Sequence, residues 1–120
     1  MTPDLTNDLT NDAAALPAAV ETYLATPKDE LGPILGEVFA ADAVVHDEGK
    51  THVGIDAIRA WSDAVAAAFS FTREVVSGVV RGGAVIVRVD VKGDFPGSPV
   101  ELHHHFSIAD GKITALTICP

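Results

Sequence analysis

The 120-residue chain has one cysteine, Cys119, next to its last residue. A lone cysteine cannot form an internal disulfide, so nothing in the sequence asks for an oxidising compartment. Basic residues are also scarce, with eight Lys and Arg against seventeen Asp and Glu and a net charge of −9. Such a balance repels phosphate backbones and anionic lipid and leaves no basic stripe, so neither nucleic acid nor membrane is an expected partner. No apolar run approaches the roughly 18 residues of a membrane-spanning helix, and the N-terminus lacks a basic segment followed by an apolar one. A cytoplasmic protein is expected.

Apolar residues are plentiful, at 48% of the chain. They suffice for one respectable core in a chain too short for a comfortable second domain. The opening TPDLTNDLTND repeats LTND and holds three Asp but no Lys or Arg. Residues 1–12 are therefore expected to be a disordered acidic tail, and residues 13–120 a single domain. Leu16, Val20, Tyr23 and Leu24 recur at helical spacing, with Pro17 suited to a first turn. A second, weaker helix is expected from Asp29 or Gly32 to Phe39, with Leu31, Leu35, Val38 and Phe39 on one stripe. A third covers GIDAIRAWSDAVAAAF, and AVVHDEG before it reads as a short strand and turn. Downstream, FTREVVSGVV, AVIVRVDV, VELHHHFSI and KITALTI are rich in β-branched residues and separated by RGG, GDFPGSP and ADG. These separators are turn chemistries, and short connections imply antiparallel neighbours. Helices early and hairpin-linked strands late indicate an α+β fold, with the helices on one face of a curved antiparallel sheet.

His103, His104 and His105 are successive residues of one expected strand. Side chains alternate along a strand, so three such histidines cannot converge on one metal. Val100, Leu102, His104, Phe106 and Ile108 should face the helices, with His103 and His105 facing away. The His103 and His105 pair lacks a third ligand, so no metal is expected. His104 interrupts the apolar face and is either a hydrogen-bonded structural histidine or a pocket group. Asp47 similarly either caps the turn to Gly49 or works as an acid–base group. Trp61 reads as core or as a ligand platform, and a buried Tyr23 needs a partner for its hydroxyl. The outward sheet face, with Val85, Val87 and Val89 expected on it, is the expected surface of a homodimer.

Two helices, then FAADAVVHDEG, HVGIDAIRAW and four strands ending in HHFSIADGKITAL, form an order of parts that resembles a known family. It is that of the nuclear transport factor two-like superfamily, in particular the SnoaL-like polyketide cyclases and the ketosteroid isomerases. The resemblance runs from about Leu16 to the C-terminus. It implies a cone of strongly bent antiparallel sheet closed by three helices on its concave face, with an apolar pocket in its mouth. Tyr23 and Asp47 stand at the separation of the isomerases' first-helix tyrosine and first-strand aspartate. Asp47 then resembles a general base and Tyr23 an oxyanion donor, while the family's second donor falls near His104. Phe39, Trp61, Leu102 and Phe106 would wall the pocket.

Removing a proton next to a carbonyl needs a base of raised pKa and donors aimed at the oxygen that becomes an enolate. Asp47, Tyr23 and His104 are residue types that could supply these, with no cofactor, on a small apolar carbonyl compound. Two other readings stay open. One is a non-catalytic binding or structural dimeric domain of the same fold. The other is an epoxide hydrolase, which would need two carboxylates and an orienting arginine, with Arg88 as the candidate.

Overall fold

The fold, taken from a computed structural model, is described for residues 16–120, so the tail expected over residues 1–12 lies outside the described residues. Helix α1 spans Ala18–Ala25 and buries Ala19, Val20, Tyr23 and Leu24. It stops at Thr26, whose backbone N–H and hydroxyl both donate to the Thr22 carbonyl ahead of Pro27. The expected second helix is broken instead into two 3-10 turns, Lys28–Glu30 and Gly32–Ile34, and one α-helical turn, α2, Leu35–Val38. Pro27 and Pro33 start the two short turns, and Gly32 and Gly36 add little helix propensity. Its four stripe residues Leu31, Leu35, Val38 and Phe39 are nevertheless all buried. Phe39 already belongs to the next element. Burial held where helical continuity did not.

Strand β1, Phe39–Asp47, turns through Glu48 and Gly49, both at positive φ, into β2, Lys50–Val53, a strand the sequence reading did not resolve. Helix α3, Ile55–Ala68, buries Ile58, Trp61 and Ser62 on one face. Four strands follow: β3, Phe71–Arg81; β4, Ala84–Gly93; β5, Val100–Ala109; and β6, Lys112–Cys119. They form one open sheet in the order β2-β1-β6-β5-β4-β3. All neighbours are antiparallel except β1 and β6, which run parallel and make the sheet mixed. Bulges between Val75 and Ser77 and between Ser107 and Ile108 bend it, because an extra residue on one strand increases local twist. The result is the expected α+β cone, with α3 against β1 and β2 and α1 against β3 and β6.

Register decides which residues share the concave face. Asp47 pairs Ile118, which pairs His104, which pairs Val87, which pairs Gly78. The next row is Val45, Leu116, Phe106, Val85 and Val80. Val85, Val87 and Val89 are thus inward and fully buried, which corrects their expected place on the outer face. On the outer face of β4 stand Ile86, Arg88 and Asp90, opposite His105, His103 and Glu101. His104 and Phe106 are buried while His105 is exposed and His103 half-exposed, as strand alternation requires.

At the end of β4, Gly93 pairs Phe71 so closely that an added Cβ would meet the Ser70 carbonyl oxygen and the Phe71 Cβ. Gly93→Ala is therefore expected to lower stability by about 1–3 kcal/mol, the usual cost of forcing extra volume into a packed site. Thermal denaturation checks this, and an unchanged Tm would refute the close approach.

Candidate functional site

Arg73 lies on β3 in register with Val91, on the concave side. Its Nη2 donates to the carbonyls of Tyr23 at 3.0 Å and Thr26 at 2.7 Å. A guanidinium there satisfies the carbonyls that every helix leaves open at its C-terminus. It ties α1 to the sheet and sets its Cζ 5.0 Å from the centre of the Tyr23 ring. Tyr23, 1% exposed, is held on its other sides by Phe39 and Phe106, edge to face at 5.7 and 5.9 Å. Phe106 in turn stacks with His104 at 6.0 Å.

Asp47 ends β1 on the same row as His104, with Ile118 between them. Two strand spacings put the Cα atoms of Asp47 and His104 roughly 10 Å apart. The Trp61 indole N–H donates to Asp47 Oδ2 at 3.1 Å, so α3 orients the half-buried carboxylate. No hydrogen-bond donor reaches Oδ1 among the described residues. Lys28, on the first 3-10 turn, lays its Nζ 4.1 Å from the Trp61 ring centre and 5.6 Å from that of Tyr23. Six elements thus bring one carboxylate, two cations, a phenol, an indole and an imidazole together.

The charges perturb one another. Burial raises the Tyr23 pKa above its usual 10.0, opposed by Arg73 and assisted by the Asp47 carboxylate, so the phenol keeps its proton. Burial and then Arg73 lower the Lys28 ammonium to about 7, and Asp47 partly restores it. Burial, then Arg73 and Lys28, lower His104 to about 3, so its ring is neutral throughout the physiological range. Three buried side-chain atoms have no hydrogen-bond partner among the described residues, and two of them, Arg73 Nη1 and His104 Nδ1, belong to this cluster. Buried polar groups are rarely left so, and each such atom calls for an explanation.

Tyr23, Phe39, Phe106 and His104 form a continuous aromatic chain, Asp47 and Trp61 are hydrogen-bonded to each other, and Leu102 is half-buried against the same core. No side-chain contact links Asp47 to His104. Lys28 and Arg73 were not read from the sequence. Arg73 had a signal, since Phe71, Arg73 and Val75 alternate and place an arginine at an apolar position. Lys28, in PKDE, looks like any solvated turn lysine. Arg88 is corrected outright: its Nη2 donates to Glu101 Oε2 at 2.9 Å on the outer face, away from Asp47.

Two open clefts of about 310 Å³ flank the cluster. One is lined by Lys28 with Pro27, Phe69 and Phe71, the other by Asp47 with Thr51 and Ile118. Tyr23 and His104 line neither; they lie behind, in the core. Among the described residues no three His, Cys, Asp or Glu side chains gather as a metal site, and no helix is long and apolar enough to cross a membrane.

A bent open sheet with three helices on its concave face, and a polar cluster between helices and sheet, defines the nuclear transport factor two-like class of α+β domains. Within it the chain belongs to the SnoaL-like domain family, whose model matches residues 18–116. A candidate polyketide cyclase from Sinorhizobium meliloti is 41% identical, with a TM-score of 0.84 over 89% of this chain and 98% of its own. A Catenulispora acidiphila protein of ketosteroid isomerase-like fold, solved with trimethylamine, is 20% identical, with a TM-score of 0.77 over 88% of this chain and 87% of its own. A limonene-epoxide-hydrolase-like epoxide hydrolase of M. tuberculosis is 18% identical, with a TM-score of 0.69 over 98% of this chain and 81% of its own. At these last identities the likeness is one of fold. No curated protein matches the chain.

Proposed function

We propose that this cluster performs cofactor-independent proton transfer, of isomerase or cyclase type, at a carbon next to a carbonyl group. The observation that carries this is the shared row of Asp47 and His104, with Tyr23 packed over the same face and within the Asp47 field. Asp47 is the base. Trp61 orients one of its oxygens and leaves the other for the substrate proton. Tyr23, neutral and desolvated, and His104, as a neutral imidazole, are the hydrogen-bond donors for the oxygen on which negative charge develops. Donors preset in a dry site stabilise that charge without reorganising, which is usually the largest catalytic contribution. The S. meliloti relative, described as a candidate polyketide cyclase, supports the same reaction type. The epoxide hydrolase alternative loses support, since the cluster has one carboxylate where that chemistry needs two.

Substrate reaches Tyr23 by displacing the Lys28 side chain, which lies across Tyr23 and Trp61 and lines one of the two clefts. A long unbranched side chain moves at small cost. The homodimer, likewise a proposal, would use the outer sheet face around half-exposed Ile86.

Solvent hydrogen exchange tests the chemistry without knowing the product. Incubated in heavy water with a panel of small ketones, 1,3-diketones and oxo acids, the protein should wash deuterium into the position next to the carbonyl of at least one member. NMR reads the exchange. Failure to exceed the buffer rate with every member would leave a binding domain in place of an enzyme.

A further inference from the structure

The charges around Tyr23 do not balance. Lys28 and Arg73 contribute two cations, at 5.6 and 5.0 Å from the ring centre, and each acts on His104. Asp47 is the one carboxylate acting on Tyr23 and Lys28, and neither cation forms a salt bridge among the described residues. With His104 neutral and Lys28 protonated, the cluster carries a spare positive charge, opposite in sign to the chain's net −9. Removing an ion from water without a partner is costly, and the two carboxylates at the mouth of the Lys28 cleft, Asp29 and Asp94, form no salt bridge with either cation among the described residues. Arg73 shows where the partner is missing. Its Nη2 is spent on two carbonyls, while Nη1 is buried and, beyond the guanidinium's approach to the Tyr23 phenol, has no hydrogen-bond partner among the described residues. Lys28 lies by the same ring and lines the cleft shared with Pro27, Phe69 and Phe71.

We propose that the ligand of this site carries an ionised carboxylate, held between the Lys28 ammonium and the Arg73 Nη1–H, so that the substrate is a small oxo acid and not a neutral apolar ketone. A carboxylate entering through the cleft meets Lys28 first and Arg73 behind it, completing both. Its carbonyl group then lies toward Tyr23 and His104, an orientation that rests on the proton-transfer reading; the anion subsite itself does not. The Lys28 ammonium that covers Tyr23 when the site is empty turns to the ligand when it is filled. A charged pair made away from water is a stronger anchor than an exposed one.

Titration of the full chain with 4-oxopentanoate and with its methyl ester separates charge from shape, with the fluorescence of Trp61, the single tryptophan, as readout. At roughly pH 6.5, where Lys28 is mostly protonated, the acid should bind at least about tenfold more tightly than the ester. Lys28→Met should erase that preference while leaving ester affinity within about twofold. Asp47→Asn should bind the acid as well as or better than wild type, because it removes a negative charge. Equal affinities, no binding of the acid by about 10 mM, weaker acid binding in Asp47→Asn, or a preference that survives Lys28→Met would each overturn the subsite. Intact acid preference without hydrogen exchange would sink the proton-transfer reading alone, and exchange without acid preference would sink the subsite alone.

Discussion

Asp47→Asn should reduce exchange or turnover by about 10² or more, the scale expected when a general base is lost. The amide has nearly the shape of the carboxylate, and its carbonyl oxygen can take the place of Oδ2 as acceptor of the Trp61 N–H. The rim of the site should therefore stay folded. What is removed is the group that accepts the proton, and an amide cannot replace it at neutral pH. The effect should fall on kcat, with KM for an oxo acid unchanged or lowered, because an interaction made only in the transition state is missing while anion binding is spared. Steady-state kinetics on the substrate identified by hydrogen exchange provides the test. A variant within about threefold of wild type in kcat would remove Asp47 from the chemistry.

Lys28→Met should stabilise the protein at neutral and mildly acidic pH. Folding lowers the Lys28 pKa from 10.5 to about 7, mainly through burial and then through Arg73. Between those values the unfolded chain binds more protons than the folded one, so this residue's contribution to stability rises with pH across that window. Below about pH 7 its full cost is present, and above about 10.5 it is gone. Methionine carries no charge to desolvate and packs well on aromatic rings. It gives up cation–π contacts with Trp61 and Tyr23, each about 0.5–1 kcal/mol. The net gain near pH 6 should be on the order of 2 kcal/mol, shrinking toward zero by pH 10. Denaturant melts of both proteins at each pH measure it, and because the comparison is made at one pH at a time, other titrations cancel. A Lys28→Met protein less stable than wild type at pH 6 would show that the ammonium is well solvated. The same substitution should abolish oxo-acid preference, the trade of function for stability common at binding sites.

Local pattern carried much of the fold and part of the site. Tyr23 was legible because it shares a helical stripe with Val20 and Leu24, and His104 because it breaks a run of inward apolar residues on a strand. Arg73 breaks a run in the same way, but the bulge after Val75 ends the alternation and masks it. The alternation Val85, Val87, Val89 was plain, but the outward direction read from it was wrong. Pairing with Phe106, His104 and Leu102 turns it inward.

Periodicity and turn chemistry by themselves determined the α+β class, three apolar helical stripes and four hairpin-linked strands, because these depend on neighbours only a few residues away. The family resemblance in the order of those parts pointed to Tyr23 and Asp47. Only the tertiary structure decided that β1 runs parallel to β6, which brings Asp47 onto the row of His104 from 57 residues away. It alone placed Lys28 over Trp61 and Tyr23 and left one Arg73 nitrogen bare. Coulomb fields and desolvation follow distances in space, and a turn lysine in PKDE reads the same whether it ends in water or in the heart of a site.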